Sequence, residues 1–169
     1  MILVIGRTGQ LARSLAEADP SATLWGRERV DLTEPEAAEE AVAASGASLV
    51  INAAAYTAVD RAESEPDLAH RINAEGAGAL ARGARRAGAG FVHISTDYVF
   101  DGSKRGEWTE EDPVAPLGAY GESKLAGEFA VMKGNPRALI LRTAWVFSPF
   151  GANFVQSRAE LAGRFAGVG

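Results

Sequence analysis

Short apolar runs alternate with longer alanine-rich stretches along this chain. Strand-sized and helix-sized segments in alternation are typical of β-α-β units with a parallel sheet. The short runs are apolar enough to predict strands that are covered on both faces. We predict five strands, at Ile2 to Ile5, Thr23 to Trp25, Leu49 to Asn52, Phe91 to Ser95 and Leu139 to Thr143.

Helices are predicted between these strands, which together gives an α/β fold with a doubly wound parallel sheet and helices on both faces. The stretch from Phe100 to Ala119 carries several glycines and prolines and is predicted to be a long functional loop. The first predicted helix follows Gly9, the second begins near Pro35, and the third spans about Pro66 to Ala87. The fourth spans about Tyr120 to Met132, and a tail helix spans about Asn153 to Phe165.

Composition excludes several functional classes. The 169 residues suit one domain, and a formal net charge of -5 provides no basic surface for a nucleic acid partner. The absence of cysteine excludes thiolate catalysis and sulfur-ligated zinc, and two histidines argue against a histidine-rich site, so we predict no metal ligand. The N-terminus MILVIG lacks a basic leader, and no segment approaches the roughly 20 apolar residues that span a bilayer. We therefore expect a cytoplasmic protein without a membrane partner.

A glycine-containing loop follows the first strand directly and opens the first helix. Gly6 permits a tight turn, Gly9 lets the backbone approach a ligand, and the small Ala12 allows the helix to pack closely on the strand. The N–H groups and dipole of the helix N-terminus favour the pyrophosphate of a dinucleotide, whereas the alternative is a turn that serves packing alone. In a Rossmann-like domain of residues 1–150, the predicted cofactor contacts here are Gly6, Arg7, Thr8, Gly9, Gln10 and Leu11.

The end of the second strand bears on the choice between NADH and NADPH. NAD-selective sites usually place an acidic residue on the ribose hydroxyls about 20 residues beyond the glycines, a role open to Glu28. Arg27 or Arg29 instead suits a 2′-phosphate through a charge-assisted fork, and solvated turn charges are the third interpretation. We favour NADPH, with NADH as the alternative. Asp31 is predicted to accept from the adenine amino group while Leu32 packs on the ring.

Three tiny side chains follow the third strand and bring the backbone close to whatever lies at the carboxyl edge of the sheet. Open α/β sheets bind their ligands at that edge, although tight packing alone also explains the run. The predicted cofactor contacts are Ala53, Ala54, Ala55, Tyr56 and Thr57.

The residues that predict a reaction lie after the fourth strand. Tyr120 and Lys124 share one helix face because they are four residues apart. A tyrosine pKa of about 10 is too high for acid–base work near neutrality, and an adjacent ammonium lowers it. When hydride reaches a carbonyl carbon, negative charge develops on the oxygen, where Tyr120 and the hydroxyl of Thr96 stabilise it. This constellation predicts a nicotinamide-dependent reductase, whereas the Tyr-x-x-x-Lys spacing alone is usually a helix surface pair.

At these residues the sequence resembles the extended short-chain dehydrogenase/reductase superfamily, and within it the dTDP-4-dehydrorhamnose reductase family. The resemblance covers nearly the whole chain up to about Val155. The runs that carry it are Gly6 to Gln10, Asn52 to Asp60, Ala62 to Pro66, Ser95 to Gly102, Pro116 to Glu128 and Arg142 to Val146.

The resemblance implies roles for particular residues. Thr96, Tyr120 and Lys124 form the implied catalytic set, with Tyr120 the proton donor. Tyr120 and Lys124 are also implied cofactor contacts, and Lys124 binds the nicotinamide ribose. Asn73 is implied to shape the site, although a helix-interior amide is as good an interpretation. Cofactor contacts are implied at Gly9, Gln10, Leu11, Asp31, Leu32, Ala55, Tyr56 and Thr57, and contacts to a deoxysugar nucleotide at Thr96, Asp97 and Trp145, with Tyr98 a further candidate.

The implied reaction is reduction of the C4 ketone of dTDP-4-dehydro-L-rhamnose to dTDP-L-rhamnose. The rivals are a regulatory subunit similar to the non-catalytic partner of methionine adenosyltransferase, and another nucleotide-sugar enzyme such as an epimerase or GDP-sugar reductase. Family members continue into a C-terminal portion that builds most of the nucleotide-sugar lobe, so we expect residues 151–169 to be only its beginning and activity on substrate to be weak. The resemblance leaves open a homodimer and a magnesium ion held between subunits.

Overall fold

A five-stranded parallel sheet forms the centre of the molecule, in the order β2-β1-β3-β4-β5. The computed structural model describes residues 1–151 and 153–158. All five predicted strands are confirmed, and the fourth is one residue longer at each end than predicted. The strands are β1 (Ile2–Ile5), β2 (Thr23–Trp25), β3 (Leu49–Asn52), β4 (Gly90–Thr96) and β5 (Leu139–Thr143).

The predicted helices are confirmed, with additions. The predicted third helix is a continuous helical rod, but its middle turn is π-helical rather than α-helical, and two short elements were not predicted. Residues 154–158 of the predicted tail helix are helical, and the rest of that prediction lies outside the described residues. The helices are α1 (Gln10–Ala18), α2 (Pro35–Ala43), α3 (Val59–Ala62), α4 (Pro66–His70), the π turn (Arg71–Gly76), α5 (Ala77–Arg86), a 3-10 turn (Asp97–Val99) and α6 (Ala119–Gly134).

One face of the sheet carries most of the core. Helices α2, α5 and α6 lie side by side on this face, and α1 packs against β1 and β2 on the other. The connection through α1 runs to one edge of the sheet and the later connections run to the opposite edge, so right-handed crossovers place α1 on the opposite face. Leu3, Val50, Phe91, Leu80 and Val131 are buried in the shared core.

The expectation that every strand is covered on both faces is wrong for β5. Leu139 is 54% exposed and Leu141 is 42% exposed, whereas Ile140 between them packs against the core. Side chains alternate between the two faces of a strand, so both exposed leucines point to the face where α1 covers only β1 and β2. An apolar run therefore did not distinguish a strand covered on one face from one covered on two.

The predicted long loop is confirmed, since no helix or strand interrupts the chain between Phe100 and Gly118. Phe100 stacks on Trp108 with ring centroids 4.3 Å apart, which ties the loop back to the end of β4. The described part of the chain contains no helix that is both long and apolar enough to cross a membrane.

Candidate active site

The loops after β1, β2 and β3 meet at the carboxyl edge of the sheet and enclose a cavity of about 520 Å³. We call it the glycine-loop pocket. It brings together eleven of the predicted cofactor residues from three separate stretches of the chain: Gly6, Arg7, Thr8, Gly9, Arg27, Asp31, Leu32, Ala53, Ala54, Ala55 and Thr57.

The glycine loop has the backbone that a phosphate site needs. Gly6 has a φ of +118°, and a Cβ atom there would lie 3.3 Å from the carbonyl carbon of Ala53, so this turn favours glycine. At Gly9 a Cβ atom would meet nothing within 4 Å, which leaves open space in front of the start of α1. No side chain caps α1, so its first N–H groups point towards that space without a capping acceptor. These features fit the pyrophosphate of a dinucleotide.

Five predicted cofactor contacts do not line this pocket: Gln10, Leu11, Tyr56, Tyr120 and Lys124. The side chain of Gln10 accepts a hydrogen bond from Ser148 at 3.1 Å, and the Tyr56 hydroxyl donates to Glu65 at 2.6 Å.

Arginine and carboxylate side chains pair at the outer rim of the pocket. Arg7 reaches from the loop after β1 to Glu28 in the loop after β2, with 3.0 Å between Nη1 and Oε1. Arg27 lines the pocket and pairs with Asp31 at 2.8 Å. Arg29, the other predicted 2′-phosphate ligand, lies over the Trp25 ring at 4.5 Å instead and does not line the pocket.

Asp31 was predicted to accept a hydrogen bond from adenine, but both of its carboxylate oxygens already accept hydrogen bonds within the chain. One carboxylate oxygen accepts from the backbone N–H and hydroxyl of Thr33, and the other accepts from Arg27. The hydrogen bond from the Thr33 backbone is the main cause of a lowered Asp31 pKa. The carboxylate therefore orients Arg27, while Leu32 beside it is buried.

A second cavity of about 650 Å³ lies at the ends of β3, β4 and β5, and we call it the tyrosine pocket. Its wall includes four predicted residues, Asp97, Tyr98, Tyr120 and Trp145, and the loop after β3 contributes to both cavities. Trp145 has a φ of 54°, an uncommon backbone conformation for a non-glycine residue, and its side chain is 72% exposed. The wall is rich in aromatic rings, a surface on which a nucleotide base stacks well.

Tyr120 is a protonated phenol at the wall of the tyrosine pocket. Its ring packs edge-to-face on Tyr98 with centroids 5.5 Å apart. Burial is the largest cause of a raised Tyr120 pKa; a hydrogen bond with Thr96 lowers it, and the charges of Tyr98 and Asp97 raise it further. The predicted lowering of this pKa by Lys124 is therefore wrong, because burial outweighs the favourable contacts and Lys124 is not among them. The phenol is suited to donate a proton to an oxygen that gains negative charge.

Lys124 lies one turn further along α6 and is almost completely buried, at 2% exposure. Its ammonium donates to the backbone carbonyl of Ile94 at 2.7 Å, which anchors the side chain against β4. Burial lowers the pKa of Lys124 to about 8, and the charge of Glu128 opposes that effect.

The hydroxyl of Thr96 is oriented by its neighbours. It accepts from the backbone N–H of Tyr98 at 3.2 Å and donates to the carboxylate of Asp97, also at 3.2 Å. Thr96 is buried at the end of β4, and these two hydrogen bonds fix the position of its hydroxyl. The three predicted catalytic side chains thus share the carboxyl edge of the sheet.

Asn73 braces the site from the π turn. Its carbonyl oxygen accepts from the Tyr56 backbone N–H at 2.8 Å, and its amide donates to the Tyr56 carbonyl at 3.0 Å and to Ser123 at 2.9 Å. The side chain therefore links the loop after β3 to α6 next to Lys124. Of the two interpretations of Asn73, these contacts support the site-shaping one.

The sequence analysis missed three residues with a part in this site. Glu63 lines the tyrosine pocket and accepts from the Ala119 backbone N–H at 2.8 Å, at the start of α6. Trp108 forms another part of the same wall. Glu128 is a buried carboxylate one helical turn beyond Lys124. A signal for Glu63 was present in the run Ala62 to Pro66, to which no role had been given.

Among the residues that the structure describes, no three histidine or acidic side chains come together as a metal site.

Comparison with known proteins agrees with this geometry. The model of the RmlD substrate binding domain family matches residues 1–168. The chain is 44% identical over 164 residues to a dTDP-4-dehydrorhamnose reductase of Sinorhizobium fredii, covering 95% of this chain and 55% of that relative. It is 41% identical over 167 residues to a probable dTDP-4,6-dihydroxy-2-methyloxan-3-one 4-ketoreductase of Streptomyces antibioticus, covering 96% and 57%.

Among solved structures, the dTDP-4-dehydrorhamnose reductase of Bacillus anthracis in complex with NADP matches with a TM-score of 0.91 and 36% identity, over 96% of this chain and 59% of that one. The chain thus spans somewhat more than half the length of the relatives it matches. The family match and the conserved architecture together show that the chain belongs to the dTDP-4-dehydrorhamnose reductase family, within the extended short-chain dehydrogenase/reductase superfamily.

Proposed function

We propose that this chain carries the cofactor site and catalytic residues of a dTDP-4-dehydrorhamnose reductase. The glycine-loop pocket binds NAD(P)H, and the tyrosine pocket receives the deoxysugar of the substrate. The bound nicotinamide supplies a hydride to the C4 carbonyl of dTDP-4-dehydro-L-rhamnose, and dTDP-L-rhamnose is the product. In this proposal residues 1–150 are the cofactor domain, and the chain from residue 151 onwards begins the portion that completes the substrate site.

The single observation that carries the proposal is the position of Tyr120, whose phenol lies in the wall of the tyrosine pocket one helical turn before Lys124. A ketone oxygen gains negative charge as its carbon accepts hydride, and a phenol at hydrogen-bond distance stabilises that charge and then protonates the oxygen. The Thr96 hydroxyl lowers the Tyr120 pKa, so the two hydroxyls lie near each other and both can approach one carbonyl oxygen. The raised pKa makes Tyr120 a weaker acid than a free tyrosine, but the alkoxide that forms on hydride transfer is a stronger base than a phenolate, so the protonated phenol can still donate its proton to it.

Lys124 is assigned to the nicotinamide ribose. Its ammonium uses one donor on the Ile94 carbonyl and retains further donors for ribose hydroxyls. Asp97, Tyr98 and Trp145 are assigned to the nucleotide sugar because they line the tyrosine pocket with Tyr120.

NADPH is the proposed cofactor, with NADH as the alternative. The Bacillus anthracis relative was solved with NADP. Arg7 and Arg27 stand at the rim of the glycine-loop pocket with largely exposed side chains, where a 2′-phosphate can bind them. Glu28 pairs with Arg7 and offers its carboxylate to unphosphorylated ribose hydroxyls.

A second candidate is a 4-ketoreductase for a different dTDP-deoxysugar. The Streptomyces antibioticus relative, named for such a substrate, is almost as similar as the named rhamnose enzymes. An intact Thr96, Tyr120 and Lys124 set at the sheet edge favours either enzyme over a non-catalytic regulatory subunit.

The test is oxidation of NADPH or NADH, followed by its absorbance, with dTDP-4-dehydro-L-rhamnose, other dTDP-4-ketosugars and a GDP-ketosugar offered separately. Turnover with dTDP-4-dehydro-L-rhamnose alone supports the first proposal, and turnover with another dTDP-4-ketosugar supports the second.

Tyr120→Phe removes the proton donor and keeps the ring, so kcat should fall by about 100-fold or more while cofactor affinity stays nearly unchanged. The chain has three tyrosines, and Tyr56→Phe is the matched control because the Tyr56 hydroxyl bonds to Glu65 outside the tyrosine pocket. Equal turnover of the wild type and Tyr120→Phe would refute the catalytic assignment.

A further inference from the structure

An ion pair with a buried carboxylate lies between the catalytic helix and β5, and the proposed reaction gives it no role. The carboxylate of Glu128 on α6 accepts from Arg142 on β5 at 2.9 and 2.7 Å, one bond to each oxygen. Ser95 on β4 donates its hydroxyl to the same carboxylate at 2.5 Å. Glu128 is 6% exposed. Three elements therefore hold one negative charge in a fixed place.

That charge lies on the same helix face as Lys124. The two residues are four apart on α6, a spacing that stacks side chains one turn above the other, and both are buried. The hydrogen bond of Lys124 to the Ile94 carbonyl orients the ammonium but brings no formal charge. A buried ammonium needs a nearby anion, because removing it from water disfavours the charged form.

The other titratable groups near Lys124 do not supply that anion. His93 on β4 faces the same interior, and burial together with the Lys124 charge lowers its pKa to about 3, so it is neutral. Tyr120 is a protonated phenol, and Asp97 in the 3-10 turn acts on Tyr120. Arg142 is a second cation behind Glu128.

We propose that Glu128 is a positioning residue of this site: Ser95 and Arg142 fix its carboxylate one helical turn from Lys124, where its negative charge keeps the buried lysine an ammonium. The assignment of Lys124 to the cofactor ribose rests on the proposed function, but the charge relation between Glu128 and Lys124 does not. Arg142 has a structural part in this arrangement, since it holds the carboxylate without being the partner of the lysine.

The consequence is a lysine that is charged at physiological pH. With a pKa of about 8, Lys124 is about nine-tenths protonated at pH 7. An opposite charge close by is worth about one pH unit or more, so without it the lysine would be about half neutral at the same pH. A neutral amine has one donor fewer and a lone pair, and it binds ribose hydroxyls with different geometry.

The chain has only three lysines, so the charge of Lys124 can be followed directly by NMR of carbon-13 at lysine Cε during a pH titration. Lys124→Met assigns the resonance, and Lys104 and Lys133 are internal references. Glu128→Gln keeps the shape of the side chain and one oxygen that can accept from Ser95 and Arg142, but it removes the charge and the second acceptor, so the Lys124 pKa should fall by about one pH unit or more. Glu122→Gln, which removes an exposed charge from the same helix, is the matched control and should leave that pKa unchanged.

Arg142→Met separates charge from structure, because it disturbs the same cluster but keeps the carboxylate. The Lys124 pKa should stay the same or rise in this variant. An equal fall in Glu128→Gln and Arg142→Met, or no fall in Glu128→Gln, would overturn the proposal.

Removing one partner of a buried pair is strongly destabilising, so Glu128→Gln alone could fail to fold. The double variant Glu128→Gln/Arg142→Met leaves no unpaired charge, and it should still show the lowered Lys124 pKa; an unchanged pKa there would also overturn the proposal. None of these measurements needs turnover. A lowered pKa in a chain that reduces no dTDP-sugar would therefore sustain this inference and count against the proposed function alone.

Discussion

Replacement of Asn73 by alanine tests whether one buried amide holds the two halves of the site together. Asn73 is 1% exposed and makes three hydrogen bonds, two to the backbone of Tyr56 and one to Ser123. Each bond contributes about 1 kcal/mol, and the Tyr56 groups left without a partner add a desolvation cost. The expected loss in the free energy of unfolding is therefore about 3 kcal/mol, a large part of the roughly 5–15 kcal/mol that stabilises a typical domain.

Urea unfolding measures this loss, and a double-mutant cycle apportions it. Ser123→Ala removes the bond to Asn73 and a second bond to the Tyr120 carbonyl, so it should cost less than Asn73→Ala. The two changes should couple by about 1 kcal/mol, the value of the bond they share. NADPH should also bind more weakly to Asn73→Ala, because Tyr56 lies between two residues that line the glycine-loop pocket. A loss in the free energy of unfolding below about 1 kcal/mol, with no coupling between the two changes, would refute the proposed role of Asn73 in holding the site together.

Two further predictions concern charge. Glu28→Gln frees Arg7 and removes an anion from the rim of the glycine-loop pocket, so the ratio of NADPH affinity to NADH affinity should rise by about tenfold. Added salt should reduce this gain, because it screens the charge of Arg7. The ratio is measured by titrations of nicotinamide fluorescence, and an unchanged ratio would show that Glu28 has no part in the choice of cofactor. Burial lowers the pKa of His93 in the folded state to about 3, well below its ordinary 6.5. As the pH falls below 6.5, the unfolded chain therefore takes up a proton at this residue before the folded chain does. The free energy of unfolding should fall by about 1.4 kcal/mol per pH unit in this range. Urea unfolding between pH 6.5 and 5 should show this slope in the wild type and in His70→Gln, the exposed second histidine, but not in His93→Gln.

The elements of the fold could be predicted because their signals are local. Strand β2 is only three residues long, yet it was predicted because it is a short apolar run in a regular alternation with helix-sized stretches. Pro35 and Pro66 each open a helix at the position where a missing N–H is harmless. The turn of the glycine loop could also be predicted, because Gly6 has a positive φ that favours glycine.

The side-chain chemistry of the site depends on contacts across the fold and could not be predicted from the sequence in the same way. The spacing of Tyr120 and Lys124 placed them on one helix face, but it did not show that the surrounding protein removes Tyr120 from water far enough to reverse the expected direction of its pKa. Gln10 is bound by Ser148, a residue 138 positions away, which no local pattern predicts. The end of the π turn also depends on a contact that is distant in sequence. Gly76 packs closely on Leu32, and a Cβ atom at Gly76 would lie 2.7 Å from the Leu32 carbonyl oxygen.

Anchoring of α6 explains how residues so far apart in sequence form one site. Thr96 ends β4 and Tyr120 is the second residue of α6, and the chain between β4 and α6 has no helix or strand beyond the 3-10 turn. The contacts that hold the start of α6 come from elsewhere: Glu63 binds the backbone N–H of Ala119, and Asn73 binds the next turn of the helix. Both come from segments before β4. The position of Tyr120 therefore does not depend on the long loop, which leaves that loop to line the tyrosine pocket with side chains such as Trp108.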